Sequence, residues 1–146
     1  MQISTYLKSS GYLEIPLKKT LLGQIEVRAK VNGEDALLLV DTGASGTVFD
    51  EASAARLKLE ARDAEAVAAG LGVTSQSAAF CEVGELVLGA LTLKNITTRI
   101  VDMSHVNTAL RQRGAQSCDG VLGADVLVGR AAVIDYRDFK LYLKEE

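Results

Sequence analysis

Two β-strand patterns follow each other in the first third of the chain. Polar and apolar residues alternate from Gln24 to Val31, which is typical of a strand with one buried face. Asn32-Gly33 predicts a tight type I′ hairpin turn, because both central positions of that turn need positive φ. The return strand, Ala36 to Val40, is aliphatic throughout, so we expect it to be buried on both faces. An acid, Asp41, therefore stands at the end of a buried strand.

Further strand-like runs follow at close intervals. They are Tyr12 to Leu17, Glu85 to Leu88, Leu91 to Leu93, Ile96 to Val101, Ala132 to Asp135 and Lys140 to Lys144. The last two predict a second hairpin around Arg137-Asp138. We expect a short helix from Asp50 to Leu59, capped by Asp50 or Thr47. The polar segment from Ser104 to Ser117 is expected to be either a loop or a surface helix. Short, closely spaced strands predict an all-β barrel or sandwich.

Composition narrows the class of protein. The chain has 146 residues, of which 48% are apolar and 24% charged, as in a folded globule. We therefore expect one domain over residues 1–146, with a core at about 22–144 and a strand-bearing extension at 1–21. The net charge of −3 argues against a nucleic-acid partner. The aliphatic run from Leu37 to Val40 is far too short to span a membrane, so no membrane partner is expected.

Metal chemistry and secretion find little support in the residues. Cys81, Cys118 and His105 are the only cysteines and histidine, too few for a Cys/His zinc cluster. We expect neither a metal nor a cofactor, and two free buried thiols rather than a disulfide. No signal-peptide pattern follows Met1. The compartment stays open: cytoplasmic if Met1 is the native start, and periplasmic or membrane-tethered if a leader was removed.

The chemistry is concentrated in the stretch that follows the buried strand. Asp41 is succeeded by a hydroxyl residue, a glycine and an alanine, so the acid stands on a turn whose backbone can approach another chain closely. Desolvation raises the pKa of a carboxyl group, and a second carboxyl nearby raises the pKa of one member of the pair further. Two such acids can share a proton, polarise a water molecule and protonate a leaving group.

Three stretches together make this sequence similar to the retropepsin-like aspartic proteases. Leu39 to Ser45 reads as two hydrophobic residues and Asp-Thr-Gly-Ala-Ser, and Gly120 to Leu127 looks like the family's late strand running into a short helix. Ala66 to Ala78 lies where the family carries its flap hairpin. The resemblance covers about positions 22–144. It implies an all-β, closed barrel-like retropepsin fold with one or two short helices.

The resemblance also implies roles for individual residues. Asp41 would be the catalytic acid, on a turn supported by Thr42, which bonds across to the partner turn, and by Gly43. The substrate-binding residues would be Gly43, Ala44, Ser45 and, at the tip of the flap, Gly70, Leu71 and Gly72. The structural buttress beside the catalytic turn would be Leu122, Gly123 and Asp125.

One acid per chain, Asp41, carries the Asp-Thr-Gly pattern. The chain has no second Asp-Thr-Gly or Asp-Ser-Gly, since Asp35, Asp102, Asp119 and Asp138 all lack the pattern. A two-fold axis that places Asp41 against its symmetry mate would supply the second acid. We therefore expect a homodimeric aspartic endopeptidase that hydrolyses polypeptides with a shared-proton Asp41 pair and an activated water.

The sequence departs from the retroviral members of the family in two respects. Retroviral members place Asp after Asp-Thr-Gly-Ala, whereas Ser45-Gly46 follows here, so the grip on the substrate backbone is expected to differ. The residues before Leu22 and the segment from Ser104 to Ser117 are extra, so interleaved chain ends are not assumed as the dimer interface.

A protease-like module that binds peptide or protein without cutting is the alternative to the endopeptidase function. A sugar-kinase or chaperone-type ATPase needs two lobes, for which the chain is too short.

Overall fold

The computed structural model describes residues 1–62 and 79–146. In chain order its elements are α1 (Ile3–Ser9), β1 (Tyr12–Pro16), β2 (Lys18–Lys19), β3 (Ile25–Val31), β4 (Glu34–Val40), β5 (Val48–Asp50), a 3-10 helix (Glu51–Ser53), β6 (Ala79–Leu88), β7 (Leu91–Val101), α2 (Ser104–Gln112), β8 (Gly120–Leu122), α3 (Ala124–Gly129), β9 (Val133–Asp135) and β10 (Lys140–Lys144). The flap predicted around Gly70, Leu71 and Gly72 lies outside the described residues.

Most of the strands form a closed barrel. The spatial order is β3-β4-β8-β5-β7-β6, and β6 returns to pair with β3, which closes a six-stranded barrel. The short strand β2 pairs with the start of β3. Side chains from every barrel strand fill the interior, among them Val27, Leu38, Phe49, Val83, Leu93 and Leu122. The predicted all-β, closed barrel-like fold is confirmed, although the described residues contain three short α-helices rather than one or two.

The first hairpin has the predicted geometry. Asn32 and Gly33 have φ values of 51° and 85°, as a type I′ turn requires, and Val31 pairs with Glu34 across it. The Asn32 side chain also donates a hydrogen bond to the Leu57 carbonyl at 2.9 Å. This asparagine therefore fixes the turn and also ties it to a neighbouring loop.

The strands between positions 79 and 101 are longer than predicted. β6 and β7 form one long hairpin around Gly89-Ala90, and Lys94-Asn95 does not interrupt β7. Asn95 adopts a φ of 56° inside the strand, and the pairing keeps the same register before and after it. Asparagine tolerates this left-handed conformation better than most residues, which explains why the strand continues.

The helix predicted from Asp50 to Leu59 is wrong. Only the 3-10 helix Glu51–Ser53 forms, and Lys58, with a φ of 57°, ends the turns that follow. Leu57 and Leu59 are both buried in the core. Residues two apart point in nearly opposite directions on an α-helix, so a continuous helix would expose one of them. Core packing outweighs the local helical preference here.

A second, three-stranded sheet has the order β1-β10-β9. The predicted hairpin near the C-terminal end is confirmed, since β9 and β10 pair from Val133↔Tyr142 to Asp135↔Lys140. β1 then pairs with β10, and the predicted strand in the segment 1–21 is thereby confirmed. The unpredicted helix α1 packs beside this sheet, where Ser4 Oγ donates to Glu14 Oε1 at 2.8 Å.

The polar segment from Ser104 to Ser117 contains helix α2, one of the two alternatives that the sequence left open. Its buried residue Leu110 joins Leu39, Met103 and Cys118 in a second hydrophobic cluster outside the barrel interior. Across residues 1–62 and 79–146, no helix is both long enough and apolar enough to cross a membrane.

Candidate active site

Asp41 is the first residue after β4, at the start of a tight turn. Its backbone N–H donates to the Leu122 carbonyl at 3.1 Å, and its carbonyl accepts from the Ala44 N–H at 3.2 Å. The Gly43 N–H donates to Asp41 Oδ1 at 2.8 Å, which orients the carboxylate on the turn. The predicted acid is therefore held firmly by backbone groups.

The Asp41 carboxylate is exposed in the single chain, although it directly follows a buried strand. Asp41, Thr42, Gly43 and Ser45 are all exposed. β4 is buried only as far as Leu39, and Asp41 lies on the turn that leaves the barrel. A second molecule that covered this turn would desolvate the carboxylate.

The strand β8, which contains Leu122, lies beside the Asp41 turn. β8 runs parallel to β4, from Leu38↔Gly120 to Val40↔Leu122, and continues past the turn. The Ala124 N–H donates to the Ala44 carbonyl at 2.7 Å. The turn is thus bound to the β8 segment both at Asp41 and at Ala44.

Gly123 allows this close approach. A Cβ atom placed on Gly123 would lie 2.6 Å from the carbonyl carbon and oxygen of Gly46 and 2.9 Å from the Ala44 oxygen. Real Cβ atoms do not come this close to backbone atoms, so any side chain would push the turn away from β8. The glycine is required by the contact, because its φ of −108° is open to other residues.

Asp125 and Thr47 clasp the far end of the turn. Thr47, which is 1% exposed, donates to Asp125 Oδ1 from its N–H at 3.0 Å and from its hydroxyl at 2.8 Å. The same hydroxyl oxygen accepts the Gly123 N–H at 3.1 Å. Asp125 stands in the first turn of α3, as predicted. From the sequence, Thr47 was expected only as a helix cap. The one signal for its buried hydrogen bonds is that it directly precedes the apolar pair Val48-Phe49.

Asp119, which lacks the catalytic pattern, has a structural position at the start of β8. Its Oδ2 accepts the Leu37 N–H at 2.8 Å, and its Oδ1 accepts the Ser53 hydroxyl at 2.8 Å and pairs with Arg56. The Asp119 N–H donates to the Leu37 carbonyl at 2.7 Å. These bonds fix β8 against β4 before the two strands reach the Asp41 turn.

Asn107 of α2 is a second residue that the sequence analysis did not single out. Its Oδ1 accepts the Cys118 N–H at 2.8 Å, and its Nδ2 donates to the Cys118 carbonyl at 3.0 Å and to Asp50 Oδ2 at 2.9 Å. The side chain is buried and therefore pairs with the backbone of Cys118 much as a strand would. Only the fold brings these distant residues together, so no local pattern announces the contact.

Both cysteines are free and buried, as predicted. Burial, together with the nearby charge of Asp119, raises the pKa of the Cys118 thiol to about 11. Burial also raises the pKa of the Cys81 thiol, which lies 3.0 Å from the Thr98 hydroxyl. Neither thiol is therefore suited to act as a nucleophile at neutral pH.

A cavity of about 290 Å³ opens beside the Asp41 turn. It is lined by Gly23, Gln24, Ile25, Leu39, Val40, Asp41, Thr42, Val121, Ile134 and Tyr136. Its wall is thus mixed: aliphatic side chains such as Leu39 and Ile134 stand beside polar groups, among them the Asp41 carboxylate. Gly43, Ala44 and Ser45 are on the same turn but do not line this cavity. No group of three or more His, Cys, Asp or Glu side chains in the described parts of the chain could hold a metal ion.

Comparison with known proteins agrees with this geometry. A protein-family model described as "Aspartyl protease" matches residues 27–126, more than half of the chain. The chain belongs to the aspartyl protease family. This match spans both the Asp41 turn and the β8 segment, so the resemblance based on these motifs is confirmed.

This aspartyl protease family member is also similar to one curated protein of a bacterium. It is 28% identical over 103 residues to an uncharacterized protein in the cobV 5′ region of Sinorhizobium sp.. That alignment covers 70% of this chain but 44% of the relative, so the chain spans less than half the length of that protein. Nothing in the relative's description assigns an activity.

Solved structures show the fold. A retropepsin-like aspartic protease from Rickettsia conorii superposes with a TM-score of 0.59 at 21% identity, over 91% of this chain and 89% of that one. The EIAV protease complexed with the inhibitor HBY-793 gives a TM-score of 0.50 at 17% identity, over 79% of this chain and 95% of the other. This aspartyl protease family member therefore has the retropepsin fold.

Proposed function

We propose that the chain is an aspartic endopeptidase whose active site forms when two copies bring their Asp41 carboxylates together on a two-fold axis. The observation that carries the proposal is the Asp41 turn itself. It holds one exposed, oriented carboxylate beside a cavity of mixed polar and apolar lining. Aspartic protease chemistry needs two carboxyl groups, and one chain offers a single Asp41. A second copy would supply the other carboxyl group and would also desolvate the first.

The proposed reaction uses the two carboxyl groups in different protonation states. Two carboxylates at hydrogen-bond distance cannot both be ionised easily, so the pair keeps one proton. The ionised Asp41 accepts a proton from a bound water, which attacks the peptide carbonyl. The protonated Asp41 donates a hydrogen bond to the carbonyl oxygen, and a tetrahedral diol forms. Proton transfer to the leaving amine then breaks the C–N bond without a covalent enzyme intermediate.

The other predicted site residues have supporting roles in this proposal. Thr42 bonds across to the second copy's turn, and Gly43, Ala44 and Ser45 present the turn to an extended peptide. The flap role of Gly70, Leu71 and Gly72 stays a prediction, because these residues lie outside the described part of the chain. Leu122, Gly123 and Asp125 hold the turn through the contacts described above. Residues 1–146 act as one such domain.

The decisive experiment compares peptide cleavage by the wild type and Asp41→Asn across acid to neutral pH. We expect the substitution to lower kcat/KM by about 10³-fold or more, because asparagine can neither accept nor share the proton. Asp35→Asn is the matched control: it makes the same change in β4, the strand that leads to Asp41, at a side chain that is 85% exposed and lies 3.4 Å from Lys30 Nζ.

The control should cleave like the wild type. Equal cleavage by Asp41→Asn and wild type would overturn the catalytic assignment. If neither protein cleaved a broad peptide mixture while both bound peptides, the protease-like binding module would replace the enzyme as the function.

A further inference from the structure

The two ends of the chain are already paired with each other. β1 runs antiparallel to β10, from Tyr12↔Lys144 to Pro16↔Lys140. The β1 and β10 strands thus bond within one molecule rather than interleaving with those of a second copy. Among residues 1–62 and 79–146, β9 has a strand partner on one side only, namely β10. Its other side is an open sheet edge.

The hydrogen-bond pattern identifies which residue of β9 faces outward. The Glu145 N–H donates to the Gly11 carbonyl at 3.0 Å, and the Leu17 N–H donates to the Phe139 carbonyl at 2.9 Å. In an antiparallel pair, successive residues point their backbone groups to opposite sides. The odd-numbered residues of β10 therefore bond to β1, while Lys140 and Tyr142 face β9.

The same alternation continues into β9. Lys140 and Tyr142 are opposite Asp135 and Val133, so these two β9 residues use their backbone groups within the sheet. Ile134, between them, points its N–H and its carbonyl to the open edge. One residue thus offers a donor and an acceptor side by side.

This edge lies next to the catalytic carboxylate. Ile134 and Tyr136 line the same cavity of about 290 Å³ as Asp41. Two large apolar side chains close to the cavity are unusually exposed, Tyr136 at 66% and Leu21 at 76%. Leu21 is in the turn that leads into Gly23 and Gln24, which also line the cavity. The surface around the β9 edge is therefore apolar and uncovered within one chain.

We propose that a second copy of this chain binds here by pairing β9 with β9, antiparallel, with Ile134 on the two-fold axis. The inference rests on the proposed function, because the same axis must bring the two Asp41 residues together. Each Ile134 N–H donates to the carbonyl of the other Ile134, so the two three-stranded sheets become one sheet of six strands. Tyr136 and Leu21 become covered, and the cavity is closed by the second molecule.

A cysteine cross-link tests the register. In a hydrogen-bonded antiparallel pair the facing Cα atoms are about 5.5 Å apart, within the range that a disulfide spans. Ile134→Cys should therefore form a dimer on mild oxidation with copper-phenanthroline, seen on a non-reducing gel and mapped by mass spectrometry. The matched control is Tyr136→Cys, a more exposed position whose symmetry mates would be roughly 14 Å apart.

The control should stay largely uncross-linked at equal oxidant. A Tyr136→Cys dimer in the absence of an Ile134→Cys dimer would overturn the proposed pairing. The native thiols should not interfere, because Cys81 and Cys118 are buried.

A proline substitution tests the hydrogen bonds separately from the side chain. Ile134→Pro removes the outward N–H, while the bonds between β9 and β10 do not use it, so the chain should keep its fold. Ile134→Ala is the control, because it also removes most of the isoleucine side chain but retains the backbone N–H. By sedimentation, we expect the dimer of Ile134→Pro to dissociate at least about tenfold more readily than that of Ile134→Ala, since two hydrogen bonds are lost.

Circular dichroism would verify that both variants remain folded. Equal dissociation constants for folded Ile134→Pro and Ile134→Ala would overturn the proposal, as would a wild-type chain that stays monomeric at high concentration.

The outcomes separate this inference from the proposed function. Cross-linking through Ile134→Cys in a protein that cleaves no peptide would support the interface and contradict the protease assignment. Loss of cleavage in Asp41→Asn, with no cross-link through Ile134→Cys, would support the protease and overturn this interface.

Discussion

At the residue scale, a few buried polar contacts hold the Asp41 turn in place. Thr47 and Asp125 are 78 positions apart in the chain, yet two hydrogen bonds join them, and the Thr47 hydroxyl also accepts the Gly123 N–H. A buried polar group that loses its partner costs more than the hydrogen bond contributed. The clasp should therefore be sensitive to the loss of a single oxygen atom.

Thr47→Val tests this sensitivity. Valine has nearly the shape of threonine but leaves the Gly123 N–H and one contact of Asp125 unpaired. We expect the free energy of unfolding to fall by about 1–3 kcal/mol, measured by urea denaturation. Thr47→Ser keeps the hydroxyl and is the control. If Thr47→Val and Thr47→Ser were equally stable, the hydroxyl would not be what holds the turn.

The residues of the site divide into those that a local pattern reveals and those that it does not. Asp41 could be identified because an acid after an aliphatic run, followed by Thr-Gly, is a contiguous signal. The exposure of Asp41 within one chain could not, since it depends on where β4 leaves the barrel. Asn107 could not either, because its partner Cys118 is brought close only by the fold.

At the scale of the elements, predictions succeed where the deciding interactions are local. The β3–β4 hairpin follows from its alternation and from Asn32-Gly33, which acts over two residues. The segment from Asp50 to Leu59 fails because Leu57 and Leu59 must both reach the core. Helix α1 was not predicted, since it is fixed to the sheet by Ser4 and Glu14, with Tyr142 from the other end of the chain.

This attachment of α1 should depend on pH. The Ser4 hydroxyl first of all, with Tyr142 and Lys8 adding to it, holds the pKa of Glu14 below its ordinary value near 4.5. A lowered folded-state pKa means that the ionised carboxylate stabilises the folded state fully above that ordinary value. The contribution is lost as the pH falls through the lowered pKa.

We therefore expect Glu14→Gln to flatten the fall in unfolding free energy between about pH 5 and pH 3 relative to the wild type. Chemical denaturation at a series of pH values measures it. Glu34→Gln makes the same change at a half-buried glutamate 3.6 Å from Lys58; it provides the matched control and should retain the wild-type slope. A wild-type slope in Glu14→Gln would show that this carboxylate does not link α1 to pH.

At the scale of the whole molecule, the barrel is complete but the proposed catalytic centre is not. β6 closes the barrel on β3, so the fold needs no second chain for its core. One Asp41 per chain makes the proposed activity a property of pairs. Chains that carry an intact Asp41 and chains that lack it should therefore interfere with one another.

Mixing experiments can measure this interference. When Asp41→Asn chains exchange freely with wild-type chains, the fraction of wild-type chains in fully intact dimers equals their share of the mixture. At constant wild-type concentration, peptide cleavage should fall to about one half in an equal mixture and about one tenth at ninefold excess. Activity that stays constant after long incubation, as with an unrelated protein in excess, would contradict a shared site.

The pairing of β1 with β10 also has a mechanical consequence. Gly11 and Glu145 are joined at one end of this pair, and the chain leaves the sheet there in both directions. Tension applied to the two ends would load the rungs one at a time, starting from Gly11 and Glu145, instead of shearing them all together. A force that pulls the two ends of the chain apart would therefore separate β1 from β10 at low tension, before the barrel unfolds.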